Sequence, residues 1–342
     1  MTHGNSERQS QESERGAALL IVLLMIATLS VLSVSIVQIV LVSKRSMQLS
    51  DAKGQSNWYV LGIEELAKVK LSELWELTQG QVTRYTPGLD IPISFPIDGG
   101  NISARIQDRS NCFNLNSLSR PESNLPTGNE EVSANSEAVP TEVYVDLLEA
   151  LGVGPQEAIR LMSTAADWVD ADSQLRAQGA EAGYYASLRK PRSVANTFMV
   201  SPQELLDVSG YTPELYRVLA PLVCAKPDDT IGVFNVNTMD ERHAPLMYAV
   251  FKGLINVEGM IGVMDQQGDL EHPDVETFLE QPTLAQISSE ERLTGLLGTT
   301  SKHFRVRGEI AYLDAVSSYE ALFEIEDTGK VRLLRHRLGV DE

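Results

Sequence analysis

Cysteines and basic side chains are both scarce in this chain. Lysine and arginine total 28 against 47 aspartates and glutamates, a formal charge of -19 over 342 residues. A surface of that sign repels phosphate backbones, which disfavours nucleic acid as a partner. It leaves open a solvated acidic shell or an affinity for divalent cations or a basic partner. His3, His243, His272, His303 and His336 form no paired metal motif. A Gly-x-Ser-x-Gly elbow and a glycine-rich phosphate loop are also missing, so catalysis finds little to stand on. The only cysteines are Cys112 and Cys224. Beyond a membrane segment they would lie where disulfides persist. A bridge would close a loop of about a hundred residues, worth at most roughly 4 to 5 kcal/mol. Two buried free thiols are the alternative.

What the chain has is one long apolar run. Between Arg15 and Lys44 no side chain is charged. As a helix this run measures roughly 39 Å, enough to span a bilayer. A hydrophilic leader, residues 1–16, precedes it and is acidic on balance, unlike the basic start of a secretory signal. Cleavage after Gly16 would leave the apolar helix, 17–43, on the mature chain. Beyond it Val60, Ile63, Ala67, Leu71, Leu74 and Leu77 recur at helical spacing, an apolar stripe able to pack on a sheet. Glu64 and its charged neighbours are expected elsewhere on the helix. The helix should stop near Gly80.

Ile91 to Asp98 is interrupted by proline and reads as a loop or edge strand. Asn101 to Asp108 alternates as a strand does, with Ile102, Ala104 and Ile106 on one face. Strands return only near the C-terminus, at 303–313, 319–326 and 330–338, with Asp327-Thr328-Gly329 as a hairpin turn. One sheet built from both ends of the chain follows, packed on the N-terminal helix. The stretch between, 110–298, reads as an all-helical insertion, and residues 121–140 as a Ser/Asn/Glu-rich loop. The part that builds the sheet is thus split into 44–109 and 299–342.

Within the insertion Phe113-Asn114-Leu115-Asn116 is echoed by Phe234-Asn235-Val236-Asn237, with Asn116 and Asn237 expected as caps or turn formers. Leu151-Gly152-Val153-Gly154-Pro155 has the form of a helix-hairpin-helix turn, repeated at Val208 to Pro213. Such hairpins can hold DNA phosphates, but Glu149 and Glu157 flank this one, so a packing role is preferred. The densest polar group is Asp167-Trp168-Val169-Asp170-Ala171-Asp172, followed by Gly179-Ala180-Glu181. Alternate carboxylates with a later Glu suit a hard cation such as calcium, with a solvated acidic loop as the plainer reading.

Together these motifs resemble the general secretion pathway protein K family, the large minor pseudopilin of type II secretion systems. The likeness rests on Arg15-Gly16 with its apolar helix, Cys112 to Asn116, Ala166 to Asp172, Gly179 to Glu181, and Phe234 to Thr238. It implies an α+β fold, a long N-terminal helix on an antiparallel sheet with a helix-hairpin-helix or SAM-like insertion. It also implies cleavage by prepilin peptidase after Gly16 and N-methylation of Ala17. Calcium would be held by Asp170, Asp172 and Glu181, with Asp167 next. The partners implied are the minor pseudopilins I and J at the tip of a periplasmic pseudopilus, which the subunit would help initiate, with the helix in the inner membrane. Most pilins carry Glu at the fifth mature position, where this chain has Ile21, which suits a subunit with nothing above it. A minor pilin of a type IV pilus and a membrane-anchored extracytoplasmic binding protein are the alternatives.

Overall fold

The computed structural model describes residues 4–120, 140–267, 271–287, 294–313 and 315–339. His3 and the loop at 121–139 lie outside them, and of the first turns of the leading helix only the backbone is described. Charge-free sequence rich in leucine, isoleucine and valine runs on as one helix, α1 (Gly4–Thr78). Side chains 19–51 are all exposed. With no protein against them, they make a helix long and apolar enough to cross a membrane. The helix ends where the backbone turns left-handed, at Gln79 (φ 52°) and Gly80 (φ 83°). A Cβ on Gly80 would sit 2.7 Å from the Trp75 ring, so glycine is required there.

The chain falls into two compact units. The first comprises Met1–Gly62, Phe95–Ile102 and Glu309–Ser317. In it Ala52, Ser56 and Val60 of α1 are buried and Tyr59 packs on Tyr312, ring centroids 5.6 Å apart. The second comprises Ile63–Ser94, Ser103–Gly308 and Ser318–Glu342. Here Ile63, Ala67, Leu71 and Leu74 continue the buried stripe. Two expectations fail on this helix. Leu77 is 85% exposed, because the buried face has turned on towards Thr78. Glu64 is buried rather than solvated, accepting from the Tyr319 hydroxyl at 3.1 Å and pairing with His336. A carboxylate survives there because both partners reach it.

The antiparallel sheet has five strands in the order β1-β2-β7-β8-β9: β1 (Ile93–Ile97), β2 (Gly100–Asp108), β7 (His303–Tyr312), β8 (Ala315–Ile325) and β9 (Val331–Leu338). β1 is an edge strand, where its proline is tolerated. Asp327 to Gly329 turns between β8 and β9, with Gly329 at φ 81°. β2 and β7 are neighbours, though everything from Arg109 to Lys302 separates them in the chain.

That intervening stretch has its own core, running from Phe113 to Leu297. Helices α2 (Pro140–Ala150) and α3 (Pro155–Val169) flank the first hairpin, with Gly152 at φ 86° and Pro155 opening α3. The theme recurs at Gly210 (φ 94°) and Pro213, which starts α5 (Pro213–Leu219). The insertion is not purely helical, however. β3 (Phe113–Asn114) pairs in parallel with β4 (Val223–Cys224), and β5 (Phe234–Asn235) with β6 (Leu297–Gly298). Each Phe-Asn-x-Asn motif therefore begins as a short strand, and its asparagines divide the work differently from expectation. Asn114 and Asn235 are the caps, accepting from the amides of Asn116 and Asn237. Asn116 instead clamps Met199 through both its amide (2.8 Å) and carbonyl (3.0 Å). Asn237 clamps His272 in the same way, both at 2.8 Å. A buried primary amide can mimic a strand edge, which explains the repeat.

Asn114 also donates to the carbonyls of Asp228 (2.8 Å) and Thr230 (2.9 Å) and accepts from the Lys226 amide (2.9 Å). Asn114→Ala strips all of these from a fully buried site and should cost about 2–4 kcal/mol. Urea unfolding of the full chain in detergent micelles measures it. An unchanged midpoint would show that the motif is not structural.

A carboxylate cluster as candidate metal centre

Helix α3 delivers the cluster. Its buried face is mostly apolar down to Val169, with Ser163, Thr164 and Asp167 the polar exceptions, and Asp170 is its C-cap, donating its amide to Ala166 at 2.9 Å. The chain then loops out and returns at Glu181, the N-cap of the short helix α4 (Ala182–Ser187). Trp168 on α3 meets Tyr185 on α4 edge to face, centroids 5.2 Å apart. Tyr185 in turn accepts from the Ser209 amide at 3.1 Å, anchoring α4 to the second hairpin.

This return brings Asp170, Asp172 and Glu181 together, with one carboxylate oxygen from each within 4.8 Å of the others. Oxygens bound to one calcium ion at about 2.3–2.6 Å can be at most about 5 Å apart, so the spacing fits. Among the described residues Asp170 Oδ1 and Glu181 Oε1 are buried with no donor in reach, as is Asp167 Oδ2, an arrangement that a cation would satisfy. Asp172 lies at the exposed side, its Oδ1 accepting from the Gln174 amide at 2.7 Å. Burial pushes the Asp170 carboxyl up from its ordinary range, opposed by Arg176, and pushes Glu181 up as well, reinforced by Asp170 and Asp172.

Asp167 stands apart from this trio. It is fully buried, its Oδ1 accepts from the Arg176 amide at 3.4 Å, and the Arg176 guanidinium lies at 3.4 Å. Burial lifts it to about 6. A Cβ on residue 179 would fall 2.0 Å from Asp167 Oδ2, so Gly179 is the residue that lets the loop close over it. Asp167 holds the loop's shape rather than the cluster.

Two contributors carry no signature in the sequence. Arg176 reaches Asp170 at 3.3 Å as well as Asp167, setting the loop's depth. Asn196 donates to the Asp172 carbonyl at 2.6 Å, and its own Oδ1 is buried without a donor. Nothing in the local sequence marks either residue for this place before folding brings it near. Elsewhere, Cys112 and Cys224 are bonded, Cα atoms 5.6 Å apart, beside the β3–β4 pair. Gly16 and Ala17 lie within α1.

Residues 111–228 match the family described as Type II secretion system (T2SS), protein K. That span runs from just before the first Phe-Asn-x-Asn motif to just past the strand it pairs with. The type II secretion system protein K of Pectobacterium carotovorum subsp. carotovorum is 30% identical over 95% of this chain and 97% of its own length. That of Klebsiella pneumoniae is 30% identical over 79% and 80%. A chain from the GspK-GspI-GspJ complex of the enterotoxigenic Escherichia coli Type 2 Secretion System superposes with a TM-score of 0.72. The two share 25% identity, covering 87% of this chain and 99% of that one. With its N-terminal apolar helix, its antiparallel sheet and its helical insertion, the chain belongs to the type II secretion system protein K family and is a minor pseudopilin of that system.

Proposed function

We propose that this minor pseudopilin stands at the tip of the pseudopilus and helps start its assembly for protein export. The observation that carries this reading is the insertion between neighbouring strands β2 and β7, since such bulk suits a subunit with nothing stacked above it. Ile21 agrees, because it leaves no carboxylate to pair with a further subunit's terminus. The partners in this reading are the minor pseudopilins I and J, by analogy with the GspK-GspI-GspJ complex. Its role is assembly rather than catalysis. Before assembly α1 rests in the inner membrane as a single pass, with the bulk of the chain in the periplasm, where a disulfide is stable. Prepilin peptidase cuts after Gly16, and Ala17 becomes the methylated terminus. The divisions at 17–43, 44–109, 110–298 and 299–342 follow from the same reading.

Calcium belongs to this proposal, held by Asp170, Asp172 and Glu181, with Asp167 and Arg176 shaping the loop. When bound, the ion supplies the positive charge that the orphaned Asp170 and Glu181 oxygens need, tying α3 to α4.

Three outcomes are expected. Gly16→Ala should leave the protein at its longer, unprocessed size in cells with active prepilin peptidase, as read on a gel. Normal processing of that variant removes the cleavage claim. Full-length chain in detergent micelles should also carry stoichiometric I and J partners through purification. If neither partner stays bound, the tip reading loses its footing.

The third outcome concerns calcium and pH. Calcium should raise the melting temperature, and Asp170→Asn should abolish the rise. The sign with pH follows from Asp167, whose carboxyl titrates at about 6 in the calcium-free fold against 3.8 for the ordinary group. The fold binds that proton more tightly than the unfolded chain does. Acidification from pH 6 towards 4 should therefore stabilise the calcium-free chain through this group, and Asp167→Asn should remove the contribution. The calcium increment should shrink over the same range, as the raised carboxyls of Asp170 and Glu181 take up protons. A calcium increment that does not change with pH would rule out these ligands.

A further inference from the structure

In a chain of net charge -19, arginines converge on one cleft of about 420 Å³ in the second unit. Arg84, Arg109, Arg242, Arg305 and Arg307 line it, with Asp90, Asp108 and Asp240. Most of these charges are already engaged. Arg109 is spent on backbone, donating to the carbonyls of Pro221 (2.7 Å), Val223 (2.8 Å) and Ala220 (3.1 Å). Arg242 forks onto Asp240, and Asp90 accepts from Arg105 and Gln107. Asp108 accepts from the hydroxyls of Ser301 and Thr238.

The exceptions lie on β7. Among the described residues Arg305 makes no ion pair: it donates to Gln107 Oε1 at 2.7 Å, its Nε has no acceptor, and Glu320 and Asp90 act on it only from a distance. Arg307 shares a single carboxylate, Glu320, with Arg337. Nearby, Arg335 Nη1 also lacks a partner. The cationic excess is visible in the neighbours: burial first, and then Arg305, Arg307 and Arg335, bring Arg109 down to about 9 despite Glu320. Arg305 is lowered too, by burial and then by Arg307 and Arg335 against Glu320 and Asp90, and Arg335 by burial and Arg337 against Glu320 and Glu204.

We propose that this cleft receives an acidic peptide segment of a protein partner, whose carboxylates pair with Arg305 and Arg307. The geometry favours a peptide. Arg305 and Arg307 occupy alternate positions on one strand, so they project from the same face roughly 7 Å apart. Carboxylates at alternate positions of an extended segment repeat at that same spacing. Guanidinium and carboxylate planes match two bonds at a time, the strongest pairing open to a half-buried arginine. The three aspartates on the walls weaken the field for a compact dianion such as phosphate. Singly charged groups placed opposite the two arginines lose less to those aspartates. This inference stands apart from the calcium and tip assignments.

The test uses full-length protein in neutral detergent micelles and fluorescence anisotropy. The probe is a Glu-Ser-Glu-Ser-Glu peptide carrying an uncharged dye, with Gln-Ser-Gln-Ser-Gln as its control. Saturable, salt-sensitive binding of the Glu peptide alone is expected. Arg305→Gln and Arg307→Gln should each weaken it by about tenfold or more, and Arg332→Gln, on the exposed β9 edge, by less than about twofold. Arg307 is half in solvent, so Arg307→Gln decides the matter if Arg305→Gln fails to fold. Equal binding of both peptides, or full affinity retained by Arg307→Gln, overturns the proposal. So does displacement by inorganic phosphate at the peptide's own concentration, which would make the cleft a small-anion site.

Discussion

The structure depends on closing one gap. β2 ends at Asp108 and its sheet neighbour β7 begins at His303, so the insertion must return its end to within about 4.8 Å of its start. Loop closure over such a length is entropically costly, and specific bonds have to hold the two ends. The Arg109 amide donates to the His303 carbonyl at 2.8 Å, extending the ladder one step past the strand. Asp108 accepts from Ser301, and Asn235, buried in the second Phe-Asn-x-Asn motif, donates to that same Ser301 oxygen and to the Val82 carbonyl, each at 2.8 Å. Asn111 adds bonds to the Asn235 carbonyl and the Thr238 hydroxyl. A charged acceptor serving buried hydroxyls is among the stronger hydrogen bonds, and here it joins both ends of the insertion to its middle.

From that root the rest of the insertion is organised twice over. The first motif lies against Val223 and Cys224, with the Cys112–Cys224 bond and the Arg109 guanidinium fastening the same place. The second lies against Leu297 and Gly298. Each time a Phe fills the core while paired asparagines hold polar backbone that no long strand could reach. Helix α3, held by this frame, sets Asp170 where the loop can bring Asp172 and Glu181 back to it. A site assembled in this way is as rigid as the frame beneath it.

Charge is sorted in the same manner. At the α3–α4 loop three carboxylates crowd together, with Asp170 Oδ1 and Glu181 Oε1 buried and unpartnered among the described residues. The opposite case lies on the outer face of β7, where arginines outnumber the carboxylates within reach. Both are costly in isolation, and each would be relieved by a bound group of the opposite charge.

The sequence by itself determined the periodic elements and the special residues of the chain. The uncharged run from Gly16 to Ser43, the stripe through Leu74, the strands at both ends and the Gly-Pro hairpins all follow from local periodicity and backbone chemistry. That Asp170, Asp172 and Glu181 fall close together was legible in part, because alternate carboxylates followed by a glycine and a Glu mark a loop that turns back on itself. Tertiary structure decided what depends on a remote partner. It buried Glu64 beside Tyr319 and His336, left Leu77 in solvent, and turned Asn116 and Asn237 from caps into clamps. It also drew short strands out of a stretch that reads as helical, and set Asp167 against Arg176 and Gly179 rather than within the close carboxylate trio. Periodicity reports which face of an element is apolar, but a polar group's role is set by the atoms it finds there. Those atoms come from residues tens to hundreds of positions away, which only the folded chain brings into contact.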